Sequence, residues 1–206
     1  AELSKGLNGG TSGNPWRGHS DTETLLACFS VWGIKETVER CIGMFAFALW
    51  DQKERVLTLA RDRIGEKPLY FGWQGLGGNA SFLFGSDLNA IKAPPSFGAE
   101  INRDALCLLL RHNYVSSPYS IYAGISKLPP GSLLTVSLEK RKPVIEAFWS
   151  LPDIAIAGSL SPLPSSPEDM VNALEELLTS AVHQQMIADV PLGAFLSGGV
   201  DSSTVV

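Results

Sequence analysis

Hydrophobic and polar positions change their period several times along this chain. Ser20-Asp21-Thr22-Glu23 has the form of a capping box, with Ser20 as the cap and Glu23 reaching back. The helix that follows runs through TETLLACFSVW, Gly33 closes it, and a short second helix fits 36–41. In GMFAFALWD (43–51), Phe45, Phe47 and Leu49 alternate with Met44, Ala46, Ala48 and Trp50. Both sets are apolar, which predicts a strand buried on both faces. A polar turn at 51–54 leads to a return strand over 55–60, and a second hairpin is predicted from strands at 68–73 and 81–85 around a glycine-rich loop at 75–79.

Helical signals return at 87–93, and Asn102 caps a helix over 103–112 with Asp104 in its first turn. Residues 124–131 read as a loop with two prolines, and strands over 132–138 and 144–149 form a third hairpin. The stretch 151–166 is rich in Ser, Pro and small apolar residues and reads as a linker. Ser166 then caps a long helix that opens on Pro167. Its Met170, Leu174, Leu177, Leu178, Ala181 and Val182 form one apolar stripe. A buried strand is expected over 189–196, then a glycine pair, then another helix opening near Ser202.

Composition narrows the function classes. The 206 residues carry 16 Lys and Arg against 21 Asp and Glu, a net charge of −5, so no clustered basic footprint for nucleic acid is expected. The longest apolar run, 44–50, is far shorter than the ~20 residues of a membrane span, and the first residues lack the apolar core of a signal peptide. Cys28, Cys41 and Cys107 are too few and too scattered for a disulfide framework or a zinc site. They fit a reducing cytoplasm, with Cys28 and Cys107 as inert core. The chain begins at Ala1 and stops on the apolar Thr204-Val205-Val206, which reads as a sequence cut at both ends.

The sharpest chemical signal is Leu196-Ser197-Gly198-Gly199-Val200-Asp201-Ser202-Ser203. Glycines permit a tight turn with backbone N–H groups turned inward, a following helix start favours anions, and the serines add neutral donors. The combination suits phosphate, yet it is neither a Walker loop nor GxGxxG. An ordinary glycine-rich turn with a serine cap fits the same residues. In 61–70, Arg61 and Asp62 read as a structural ion pair, Gly65 as a turn and Pro68 as a strand start. His19 beside Ser20, and the isolated His112 and His183, build no Ser-His-Asp order.

SGGVDSS resembles the pyrophosphate loop of the ATP pyrophosphatase superfamily, and DVPLGAFL before it is similar to the asparagine synthetase branch. GHSDTE (18–23), GMFAFALWD, ARDRIGEKPLY (60–70) and LPPGS (128–132) resemble the amidotransferase domain of glutamine-dependent asparagine synthetases, in that family's order. The likeness runs from about Gly18 to Val206. It implies an N-terminal-nucleophile αββα glutaminase sandwich over 1–150, incomplete at its start. After the linker it implies the beginning, over 167–206, of an α/β adenine-nucleotide α-hydrolase-like synthetase domain.

The implied chemistry has two halves. Glutamine is hydrolysed to glutamate and ammonia; ATP with Mg2+ adenylates aspartate, and ammonia attacks the β-aspartyl-AMP to give asparagine, AMP and pyrophosphate. Asp21 matches the aspartate that binds the α-amino group of glutamine; as a first-turn acid it also serves the helix dipole. Leu196, Ser197, Gly198, Gly199, Val200, Asp201 and Ser202 match the ATP and pyrophosphate loop, with the Leu196 backbone on the adenine side and Asp201 the acid associated with Mg2+. The partners implied are glutamine, aspartate and ATP, with a homodimer allowed and no nucleic acid or membrane.

The family nucleophile is an N-terminal cysteine, and the first residue here is Ala1. No catalytic residue is therefore assigned, Asn8-Gly9 is read as a chance match to the oxyanion-hole pair, and this stretch alone is expected to be inactive. Related scaffolds act on other carboxylates, as in β-lactam synthetases and cell-surface-glycan amidotransferases. A binding protein of the same fold without the nucleophile is a third reading.

Overall fold

The computed structural model describes residues 18, 20–75, 80–163, 166–186 and 188–206. Helix α1 spans Asp21–Arg40, followed by strands β1 (Ala46–Asp51), β2 (Val56–Arg61), β3 (Tyr70–Gln74) and β4 (Ser81–Gly85). Helices α2 (Leu88–Lys92) and α3 (Arg103–His112) come next, then β5 (Ile125–Lys127), β6 (Ser132–Ser137) and β7 (Val144–Ala147). Helices α4 (Leu151–Leu160), α5 (Pro167–Gln185) and α6 (Val200–Val205) complete the order. Two compact units meet in sequence between Pro152 and Asp153.

The first unit is built on two antiparallel sheets, ordered β1-β2-β6-β7 and β4-β3-β5. Strand alternation sorts the core into two clusters. Leu59, Leu134 and Val136 of the larger sheet pack with Leu69, Phe71 and Leu128 from in and around the smaller one. The alternate residues Ala60 and Leu133 face the other way and pack with Val38 of α1, beside Ile34, Phe45, Phe47 and Phe148. Register ties the two sides together: Leu59 lies opposite Leu134, and Ala60 opposite Leu133. One face of the larger sheet therefore meets the smaller sheet, and its other face meets α1.

Local signals placed the caps. Asn102 Oδ1 accepts from the backbone N–H groups of Asp104 and Ala105, each at 3.1 Å. Ser166 and Asp169 form a complete capping box, with Pro167 opening α5. Ser20 Oγ accepts from Thr22 N at 3.2 Å, whereas Glu23 reaches Gly18 N at 3.0 Å rather than the cap's own N–H. Gly33 breaks α1 with φ 77° and ψ 172°, but the chain resumes helix at once and ends at Cys41.

Several expectations are corrected. Strand β1 is only partly buried: among the described residues it is the outer strand of its sheet, paired with β2, and its far end is exposed. The proline loop over 124–131 contains β5, which pairs with β3 from Tyr70 opposite Lys127 to Gly72 opposite Ile125. Helix α4 lies within 151–166, the segment read as a linker, and the boundary between the two units falls there as well. No strand forms over 189–196: Val190 is 70% exposed and Phe195 fully so, with no strand beside them in the second unit among the described residues. The apolar stripe of α5 is likewise exposed at Met170, Leu174, Leu177 and Leu178.

Cys107 is exposed on α3, not core, because α3 buries only Ala105. Cys28 and Cys41 are buried. Burial pushes the Cys28 thiol up against the opposing pull of Arg40. Burial also pushes up Cys41, with Cys28 adding to the rise and Arg63 opposing it. Nucleophilic attack requires thiolate. Alkylation of the native protein at neutral pH is therefore expected at Cys107 first, with Cys28 and Cys41 reacting only once denaturant is added. Peptide mass spectrometry of the alkylated chain checks the order.

Candidate functional site

Two of the predicted regions can be built from the residues upward, one in each unit. In the first unit, Ser20 is extended and turns the chain into α1. Asp21 Oδ1 accepts from Thr22 N at 2.7 Å and lies 3.4 Å from Thr22 Oγ1 and 3.5 Å from Ser20 Oγ. These short-range contacts hold the carboxylate at the exposed mouth of the helix, where the dipole favours a negative charge. An exposed, oriented carboxylate can receive an ammonium group. His19 and Asn8-Gly9 lie outside the described residues.

In the second unit, the turn over 196–202 brings three of its predicted residues together. Ser197 Oγ and Ser202 Oγ are 2.9 Å apart, Gly199 N donates to Ser197 Oγ at 3.4 Å, and Ser202 Oγ donates to Gly199 O at 3.1 Å. Gly198 has φ 78°, a left-handed conformation that costs glycine little. Helix α6 starts at Val200, two residues before the expected opening, and Gly199 gives it no side-chain cap. First-turn N–H groups there are left without the partner a serine or aspartate cap would supply. Leu196 and Asp201 are exposed and take no part in the hydroxyl cluster.

A buried polar joint links the sheets of the first unit, and its form differs from the expected ion pair. Asp62 accepts from the backbone N–H groups of Gly65 (2.7 Å), Glu66 (2.9 Å), Lys67 (2.9 Å) and Phe45 (3.3 Å). Arg61 donates to the carbonyls of Lys67 (2.8 Å), Leu128 (2.7 Å) and Gly65 (2.6 Å). Each side chain binds backbone and not the other. Burial lowers the Arg61 pKa, with Asp62 and Tyr70 pulling it back up. Lys127, half-buried on β5, is also lowered, first by burial and then by repulsion from Arg61. Gly65 has φ 75°, and a Cβ there would meet Arg61 Cζ and Pro130 Cγ at 2.9 Å.

Gln74 was missed from sequence. It is buried, donates to Ala123 O at 2.9 Å and accepts from Gly98 N at 3.2 Å, so one amide clamps two loops beside β3. An amide ending a strand gives no local hint of partners so far away in sequence.

The family model described as glutamine amidotransferase domain matches residues 1–149. The chain belongs to the glutamine amidotransferase domain family. A second model, asparagine synthase, matches residues 173–206. The chain is 37% identical, over 91% of its length, to a putative glutamine-hydrolysing asparagine synthetase 2 of Methanocaldococcus jannaschii, covering 34% of that protein. It is 35% identical, over 92% of its length, to the glutamine-hydrolysing asparagine synthetase 3 of Bacillus subtilis, covering 30% of it. It is also 29% identical, over 91% of its length, to the amidase chyE of Penicillium rubens, covering 26% of it. The chain thus spans about a third of the length of these first two relatives. No helix among its described residues is long and apolar enough to cross a membrane.

Proposed function

We propose that the full-length protein converts aspartate to asparagine in the cytoplasm, with glutamine as nitrogen donor and ATP as the source of activation. The observation that carries this reading is order within one chain: an amidotransferase match is followed by an asparagine synthase match that contains the SGGVDSS turn. In this reading residues 1–150 are the amidotransferase domain of the αββα N-terminal-nucleophile class, 151–166 the linker, and 167–206 the start of the synthetase domain. The packing of α1 and two antiparallel sheets around two apolar clusters supports the first assignment.

Asp21 binds the α-amino group of glutamine. The backbone of Leu196 meets the adenine side of ATP, and Ser197, Gly198, Gly199, Val200 and Ser202 offer donors to the pyrophosphate as its charge develops. A carboxylate acylates poorly until its oxygen becomes a good leaving group, which adenylation to β-aspartyl-AMP provides. The hard carboxylate oxygen of Asp201 suits Mg2+, while the N–H groups of the same uncapped first turn suit phosphate. Bound Mg2+ neutralises phosphate charge; Asp201 would hold it.

Full-length protein given glutamine, aspartate and ATP is expected to form asparagine, AMP and pyrophosphate in equal amounts. Pyrophosphate formed equally well without aspartate, or with another carboxylate in its place, overturns the choice of acceptor. Asp21→Ala is expected to raise the KM for glutamine about tenfold, since it removes one charge-assisted contact, while ammonia-dependent synthesis persists. Equal loss of both activities overturns the role of Asp21.

A further inference from the structure

The break in α1 has a geometric consequence for Asp21. A straight α-helix turns about 100° per residue, so Phe29 and Val38, nine positions apart, would point to opposite sides. Here both seat on the same face of the four-stranded sheet. The Phe29 ring lies 5.2 Å from that of Phe47, and Val38 packs in the cluster of Ala60 and Leu133 that Phe47 borders. Gly33 makes this possible. Its φ of 77° and ψ of 172° fall in a region that side-chain-bearing residues avoid, although no atom lies within 4 Å of where a Cβ would stand.

The corner is braced on both sides. Thr37 Oγ1, fully buried, donates to Gly33 O at 2.7 Å. The Arg40 guanidinium stands 4.4 Å over the Trp32 ring and pairs with Glu36. The helical segment before Gly33 therefore leaves the corner in one direction, anchored by Phe29. Asp21 lies eight residues further back, about 12 Å along the helix axis.

We infer that Gly33 is a positioning residue for glutamine: its left-handed corner seats Phe29 and Val38 on one sheet face and so aims the segment that presents Asp21. The inference rests on the reading of Asp21 as the glutamine ligand. Replacing Gly33 with Ala opposes the corner, and either the Phe29 contact or the Val38 contact must give. A misplacement of about 1 Å is enough to cost a large factor in a bound reactant's productive geometry.

The test uses the full-length protein, with glutaminase kinetics and ammonia-dependent pyrophosphate formation measured side by side. Gly33→Ala is expected to raise the glutamine KM about tenfold, with kcat changed less than about threefold and the ammonia-dependent rate unchanged. Phe29→Ala removes the anchor without backbone strain and is expected to shift KM the same way; Phe29→Leu is expected to restore most of it. If Gly33→Ala also loses the ammonia-dependent rate, the Phe29 pair decides. A raised KM in Asp21→Ala with none in Gly33→Ala or Phe29→Ala overturns the positioning role alone. An unchanged KM in Asp21→Ala overturns the ligand reading and the positioning role with it.

Discussion

Asp62→Ala is expected to destabilise the first unit by about 3–5 kcal/mol, among the largest effects of any single change in this chain. The carboxylate is 1% exposed and accepts four backbone N–H groups from two separate stretches, Phe45 and 65–67. Alanine leaves the N–H groups of Glu66, Lys67 and Phe45 without their acceptor, while Gly65 N keeps the Asp62 carbonyl at 3.1 Å. Arg61 would lose its nearest anion while still committed to three carbonyls. Asp62→Asn keeps the shape but offers one acceptor oxygen, and its amide N–H groups would face the donors of Lys67 and Phe45. It should recover only part of the loss. Denaturant titration of the three proteins, followed by tryptophan fluorescence, checks the order wild type, Asn, Ala. Equal midpoints for Ala and wild type would show that the joint contributes nothing.

The fate of this joint shows which parts of the structure were legible in the sequence. Caps were legible because their bonds span two or three residues. Ser20, Asn102 and Ser166 each do what their position announces. The strands of the larger sheet were legible in place, since each alternates or runs apolar between turn residues. Arg61 and Asp62 sit side by side and invited a pairing. Yet Arg61 reaches Leu128, 67 positions on, and Asp62 reaches back 17 to Phe45. Strand β5 is three residues long and owes its existence to β3, more than fifty positions earlier, so its own residues carry almost no signal. The opposite error arose over 189–196. An apolar run announces burial without supplying the partner strands, and Val190 and Phe195 stand exposed. For the sites, resemblance to the family named Asp21 and gave the serine-glycine turn its role, while the residues alone fitted an ordinary turn equally well; the fold sets the Ser197 and Ser202 hydroxyls 2.9 Å apart. The corner at Gly33 was half legible. Glycine marked a helix end, but that the helix resumes at once follows from Phe29 and Val38 sharing a sheet face.

Gly72→Ala is expected to cost at least about 3 kcal/mol, from overpacking where nothing nearby can yield cheaply. Gly72 lies at the middle of β3, the central strand of the smaller sheet, opposite Leu83 on one side and Ile125 on the other. A Cβ there would stand 1.9 Å from the carbonyl oxygen of Gly124 and 3.0 Å from its carbonyl carbon. Those are backbone atoms, and Gly124 is itself held at φ 74° at the corner that starts β5. Relief therefore requires β5 to move off β3, which breaks the pairing of Tyr70 with Lys127 and loosens Leu128 in the main core. It also disturbs the Gln74 clamp, whose amide bonds the carbonyl of Ala123 next door. Gly43, also at positive φ, has no atom within 4 Å of where a Cβ would stand, so Gly43→Ala adds backbone strain alone, about 1 kcal/mol. Thermal melts of the two variants separate close approach from backbone freedom. A drop on the order of 10 °C is expected for Gly72→Ala and a few degrees for Gly43→Ala. Similar drops in both would mean that β5 shifts at little cost and that the smaller sheet does not depend on the close contact.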